Sequence, residues 1–377
     1  LKRRLAVIAT SGRGERDWLN QRLTAILATG RETTVNAAGG RVASMLCRVI
    51  VPAMACLCVP GSAGRAVAQG TLEPPQWRVV ADVPLPGKPA RFDYQAFDST
   101  TEVLWIAHMG AGEVLAFDVR ARQVIARVPD MPGVTGVRVV PALQRVFASL
   151  SAAHEVAVLD RRDGRVLARI SAGRFPDGLA YAPPVNKLFV SDEFGRQEVV
   201  IDVASSTVSR RIQLGGEAGN TQYDPVASRI WVAVQTRGEL IAIDPVTDSV
   251  VMRVAVPGIE HPHGFLVEPE GRYIYVTGEQ NGRLGVLDIR AQRVAHIYPV
   301  RKDPDVLAMD PARRRLFVAS ESGVLSAFDA HGDSLVALPS YHAPSAHSVA
   351  VDPTTHLVYV PLENVAGRPT IRILRLE

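Results

Sequence analysis

Cysteine is missing from most of this chain. Its three cysteines, Cys47, Cys56 and Cys58, all lie near the start, and none follows. A disulfide framework or a thiolate metal centre is therefore excluded from everything after residue 58. Beyond residue 68 the chain also lacks a Gly-rich phosphate loop, a GxSxG elbow, an HExxH pair and a CxxC pair, which disfavours nucleotide use and thiol chemistry. No helical periodicity is present there either, since every periodic segment is short and strand-like. Strong charge of one sign is absent too. Of 42 Lys and Arg, 10 lie in residues 1–68, and of 38 Asp and Glu, 3 do, so that segment is net +7 and the remainder net −3. A slightly acidic remainder argues against nucleic acid as a partner.

The basic start reads as a leader. Met45-Leu-Cys-Arg is followed by VIVPAMACLCV, an apolar run too short to span a bilayer, and then by Ala66-Val67-Ala68, a small-x-small cleavage pattern. Residues 45–68 are expected to be a secretory signal peptide, giving a periplasmic, secreted or cell-surface protein without a membrane span. The alternatives are lipid anchoring at Cys56 and an uncleaved anchor helix, the latter weakened by Pro52. Residues 1–44 are Arg-rich and hold no Met, and are expected to be an upstream extension outside the mature protein. Residues 69–76, with Pro74-Pro75, form a linker, and 77–377 form the fold.

What the rest does have is a repeat. Trp105, Phe147, Phe189, Trp231, Tyr275, Phe317 and Tyr359 open seven similar strands at steps of 42, 42, 42, 44, 42 and 42. Asp118, Asp160, Asp202, Asp244, Asp288 and Asp329 end the following strand in step with them. A period of roughly 40–45 residues built from short strands is a propeller blade, a twisted sheet that buries its two faces only against its neighbours. The expectation is an all-β, seven-bladed propeller of four-stranded antiparallel blades. The aspartates supply turn geometry. Residues 77–87, WRVVADVPLPG, match the fourth strand of later blades, whereas the C-terminal TIRILRL matches a third strand and stops. The N-terminal strand is therefore expected to complete the last blade and close the ring.

Tyr275-Val276-Thr277-Gly278 is one residue from the tetrapeptide that names the YVTN repeat family, with sister copies beginning at Trp105, Trp231 and Phe317. PDGLAYAPPVNKLFV (176–190) and SVAVDPTTHLVYV (348–360) resemble the inner strand and turn of that repeat. RFDYQAFDSTTEVLWIAH (91–108) and GVTGV (133–137) are similar to the YncE-like branch of exported bacterial propellers. The resemblance implies the fold and an exported location. It brings no catalytic motif with it.

Function on a propeller concentrates where inner strands meet the central channel. The prolines that end the inner strands, Pro141, Pro183, Pro225, Pro269, Pro311 and Pro353, give the register. Six residues earlier stand Thr135, Asp177, Gly219, His263, Asp305 and His347, and Asp93 is the matching residue of blade one; Asn220 adjoins the glycine of blade four. The expected ligand-binding ring is Asp93, Thr135, Asp177, Asn220, His263, Asp305 and His347. Within it, Asp177, His263, Asp305 and His347 are candidate ligands for one divalent ion, or an acid/base set acting on a bound molecule. The competing reading is polar lining of a wet channel. Pro262-His263-Gly264, with His261 beside it, is similar to an inner loop of paraoxonase-type lactonases, over three residues only. His108 and Asp192-Glu193 are expected to face solvent in turns, and Arg313-Arg314-Arg315 to be a solvated face.

Three functions fit. The first is a monomeric, non-enzymatic exported propeller that binds a protein or small ligand and needs no cofactor. The second is a metal-assisted hydrolase or lactonase acting through the Asp/His ring. The third is an accessory subunit of a periplasmic redox enzyme.

Overall fold

A computed structural model describes residues 75–377. The expected extension, the signal peptide and most of the linker lie outside the described residues. Seven four-stranded antiparallel sheets stand in a ring, and among the described residues there is no α-helix, only 3-10 turns. Each blade runs from an inner strand at the axis to an outer strand at the rim. In blade three these are Pro176–Ala182, Lys187–Asp192, Gln197–Asp202 and Thr207–Gln213. Neighbouring inner strands touch all the way round, and Ala350–Asp352 of blade seven meets Gln95–Asp98 of blade one. The outer position of blade seven is filled by Trp77–Pro84, which pairs antiparallel with Arg368–Leu376 from Trp77↔Leu376 to Pro84↔Thr370.

The seven repeated aromatics explain the period. Each one is fully buried and sits in a separate apolar seam between its own blade and the next. Trp105 packs with Val134, Val146 and Leu159 of blade two, and Tyr359 packs with Phe92, Leu104 and Ile106 of blade one. Blades therefore share seven cores rather than one. Burying about 150–250 Å² per aromatic ring supplies much of what holds each seam.

Most of the third-strand aspartates do the turn work expected of them. Asp118, Asp160, Asp202, Asp244 and Asp288 accept backbone N–H bonds from two or three residues downstream. Asp329 differs. Its strand, Val324–His331, continues past it, so the turn falls later and the carboxylate instead accepts from Arg315 Nε at 3.0 Å. A second set, Asp98, Asp224, Asp310 and Asp352, closes inner strands at the same end in the same way.

Candidate functional site

At the other end of the inner strands, five of the seven candidates sit in a break of register, whereas Asp93 and His347 lie just before their inner strands. The pairing of inner with second strand slips between Val134 and Val137, Pro176 and Leu179, Ala218 and Thr221, Pro262 and Phe265, and Pro304 and Leu307. Such a bulge re-aims the side chain inside it. Glycine makes the approach of the next blade feasible. A Cβ on Gly264 would lie inside the carbonyl oxygen of Asp305, and one on Gly136 inside that of Asp177. The sequence pattern Thr135-Gly136, Asp177-Gly178 and His263-Gly264 is thus one ring residue followed by room for its neighbour.

All seven expected residues are buried. Five of them form one connected chain across the axis. His347 Nε2 lies 3.0 Å from Asp93 Oδ1 and 3.1 Å from Asp305 Oδ2. His263 Nε2 lies 3.5 Å from Asp305 Oδ1 and 3.7 Å from Asp177 Oδ2. Asp305 therefore bridges two imidazoles. Thr135 and Asn220 do not join this chain. The Thr135 hydroxyl donates to the Pro176 carbonyl at 3.1 Å, and Asn220 Oδ1 accepts the Thr221 N–H at 2.8 Å.

Three participants were not singled out from the sequence. Arg91 Nη2 donates to Glu321 Oε1 at 2.8 Å, and Glu321 Oε1 also meets His347 Nδ1 at 3.0 Å. Tyr94 reaches across from blade one to place its hydroxyl 3.5 Å from Asp305 Oδ1. A signal for Glu321 does exist in the repeat. Glutamate stands four residues after the blade aromatic at Glu193, Glu279, Glu321 and Glu363, where the second strand arrives at the axial end.

The expectation that His108 and Asp192-Glu193 face solvent is wrong, since all three are buried. The connection from the preceding blade folds over them. His108 stacks on Phe92 with ring centroids 4.2 Å apart and meets Glu113 Oε1 at 3.1 Å. Asp192 Oδ1 accepts the N–H groups of Arg174 and Phe175 at 2.9 and 2.8 Å.

Burial and crowding split the titration of the cluster. Burial pushes the Asp177 carboxyl up to about 7, with Asp93, Glu193 and Asp305 adding to the push against the pull of His263. Asp305 is raised for the same first reason, opposed by His347 and His263. Burial alone would lower His347, but Asp93 and Asp305 carry it up to about 10, so it is an imidazolium at neutral pH. Burial would raise Glu321, yet Arg91 and His347 hold it well below the usual range. Tyr94 is raised well above a free phenol by burial and by the carboxylates around it. A proton acceptor near neutrality, Asp177, thus stands beside a histidine, which is a workable acid/base pair.

Metal binding has a compact donor set nearby. One ligand atom each from Asp305, Glu321 and His347 lies within 4.8 Å of the others. Asp305 and His347 belong to the sequence-derived set, and Glu321 replaces Asp177 and His263 as the near neighbour. An ion there must displace a proton from His347 and compete with Arg91, which makes affinity pH-dependent.

No protein-family model matches the chain, and no curated protein matches it in sequence. Solved structures match its fold. The hydrazine synthase of Kuenenia stuttgartiensis aligns at 16% identity and TM-score 0.66, covering 77% of this chain and 96% of that one. The RRP9 WD40 repeats align at 10% and 0.68, covering 80% and 100%. Virginiamycin B lyase from Staphylococcus aureus aligns at 12% and 0.67, covering 80% and 100%. At these identities the likeness is one of fold, the WD40-like seven-bladed propeller.

Proposed function

We propose that this chain is an exported propeller that binds a small ligand through the axial cluster on one face of the disc. The observation that carries this reading is the chain Asp93–His347–Asp305–His263–Asp177, drawn from five blades and buried together. The apolar seams already hold the ring, so buried charge at its centre is a cost without a structural return. Acidic side chains outnumber basic ones there, with Asp93, Asp177, Asp305, Glu193 and Glu321 facing Arg91, His263 and His347. The ligand chemistry that suits this surplus is an organic cation, an alkylammonium. Export rests on the signal-like stretch 45–68 and on the YVTN/YncE-like resemblance.

A second reading, metal-assisted hydrolysis of an ester or lactone, is favoured by the Asp305–Glu321–His347 set. One experiment separates the two. The purified chain is titrated with alkylammonium ions and with Mg²⁺, Ca²⁺, Mn²⁺ and Zn²⁺ by calorimetry, beside an Asp177→Asn/Asp305→Asn double variant. Ammonium binding lost in the variant supports the first reading. Tight binding of one divalent ion with release of protons supports the second. No heat from any of them ends both and leaves the cluster as channel lining.

A further inference from the structure

The central channel holds one feature that the axial cluster does not explain. A cavity of about 420 Å³ runs along the inner strands, within the range of small-molecule sites. Its walls are neutral, among them Tyr94, Val137, Tyr223, Leu307 and Met309, with a single charged side chain among the described lining residues, Arg138.

Arg138 departs from its own repeat. It sits on the inner strand Val134–Val140 opposite Phe147, the seam aromatic. The residues opposite the other seam aromatics are Ala96, Ala180, Gln222, Leu266, Ala308 and Ala350. Five of these are apolar. The sixth, Gln222, is tied to the next inner strand, donating to the Phe265 carbonyl at 2.6 Å and accepting the Val267 N–H at 3.0 Å. Arg138 is neither apolar nor tied. It is exposed to the space of the channel, and among the described residues it has no ion pair or hydrogen bond. A guanidinium that faces the channel and has no counter-charge among the described residues is open to a ligand, and its planar fork of donors is suited to carboxylate or phosphate.

We propose that the channel is a second binding site, taking a small amphipathic anion whose carboxylate or phosphate head pairs with Arg138 and whose apolar body lies along the half-buried Tyr223 and Met309. The site stands on the inner strands themselves and does not rest on the reading of the axial cluster. Along a strand, Arg138 is about 10 Å from the ring position Thr135.

The test uses three probes on the purified full chain: hexanoate, inorganic phosphate and hexylammonium, each followed by thermal shift and calorimetry. Hexanoate is expected to bind saturably and raise Tm by about 2–5 °C at saturation. Phosphate, a head without a body, is expected to bind at least tenfold more weakly. Arg138→Gln and Arg138→Met are expected to melt close to the parent temperature without ligand, because no contact within the protein is lost, and to lose the hexanoate response. An equal hexanoate response in parent and both variants overturns the proposal, as does no response to hexanoate in the parent at millimolar concentration. Hexylammonium reports on the axial cluster instead. A response to it that survives Arg138→Gln while hexanoate gives none leaves the axial reading standing and removes this one.

Discussion

At the outer turns, Asp288 accepts the N–H groups of Arg290 and Ala291 at 2.9 and 3.0 Å. At the axis, Asp305 meets His347 at 3.1 Å and His263 at 3.5 Å. Both aspartates recur with the blade repeat, yet their chemistry runs in opposite directions. Backbone donors hold Asp288, like Asp160, Asp202 and Asp244, below the usual carboxylate range. Burial holds Asp305 and Asp177 above it. The outer carboxylate is held by N–H groups within three residues of its own chain, with Arg272 of the same blade adding a bridge, so it needs only its turn and its blade. The axial one is answered from other blades, as His347 answers Asp93 across 254 residues, so it needs the ring. A periodic aspartate is therefore structural where turn N–H groups hold it and a functional candidate where only side chains from other blades answer it.

The sharpest way to break this contrast is to open the ring. Trp77–Pro84 pairs along the C-terminal strand, and Trp77 packs 5.7 Å from Phe317 and 5.6 Å from Tyr341. Deleting residues 77–84 is expected to lower Tm by more than about 10 °C or abolish cooperative melting, because blade seven carries His347 and loses its outer strand. Circular dichroism and size exclusion measure it. Unchanged melting would show that the axis does not depend on closure. Next in size is His347→Ala. It leaves Asp93, Asp305 and Glu321 without their shared imidazolium and is expected to cost about 3–5 kcal/mol by chemical denaturation, the range for removing one partner of a buried pair. A loss under about 1 kcal/mol would mean that the cluster is more hydrated than its burial indicates.

The fold was legible because the repeat states it directly: the aromatic at each step is the one that fills a seam. The five-residue axial chain was legible because the prolines fix the inner register. Arg91, Glu321 and Tyr94 were not, since register gives a residue's position around the axis but not how far a long side chain reaches across it. Glu198 shows the same limit inside a blade. Its equivalents Val114, Val156, Leu240, Leu284 and Leu325 are apolar and buried, and the repeat implies another aliphatic there. The structure buries the glutamate instead, and burial pushes its carboxyl well above the ordinary range.

A smaller effect separates the two regions by pH. Asp177 has a folded pKa near 7 against an ordinary 3.8, so the folded state holds its proton longer than the unfolded chain does. Its contribution to stability therefore falls as pH rises from about 4 to about 7 and stays low above that. Asp177→Asn is expected to remove this slope and to be at least as stable as the parent at pH 7. His347 runs the same way in a higher window: its contribution is complete below about 6.5 and is lost as pH rises through about 10. Denaturation midpoints between pH 4 and 8 check the first statement. A slope that is the same in parent and variant would place Asp177 in water.

The smallest effect belongs to the outer turns. Asp288→Asn keeps an oxygen for the N–H groups of Arg290 and Ala291 but loses the charge behind those bonds and the 2.8 Å bridge to Arg272, which is partly exposed. A solvent-screened bridge is worth little, so Tm at pH 7 should fall by no more than a few degrees. The sign with pH is the reverse of that at the axis. The lowered pKa of Asp288 means that its contribution is present above about 4 and is lost as pH drops through the folded value. Parent and variant should accordingly converge at acid pH below the folded value, where both side chains are neutral. A difference that persists there would show that the turn depends on the shape of the aspartate rather than its charge, and the electrostatic contrast between rim and axis would then rest on the axial residues alone.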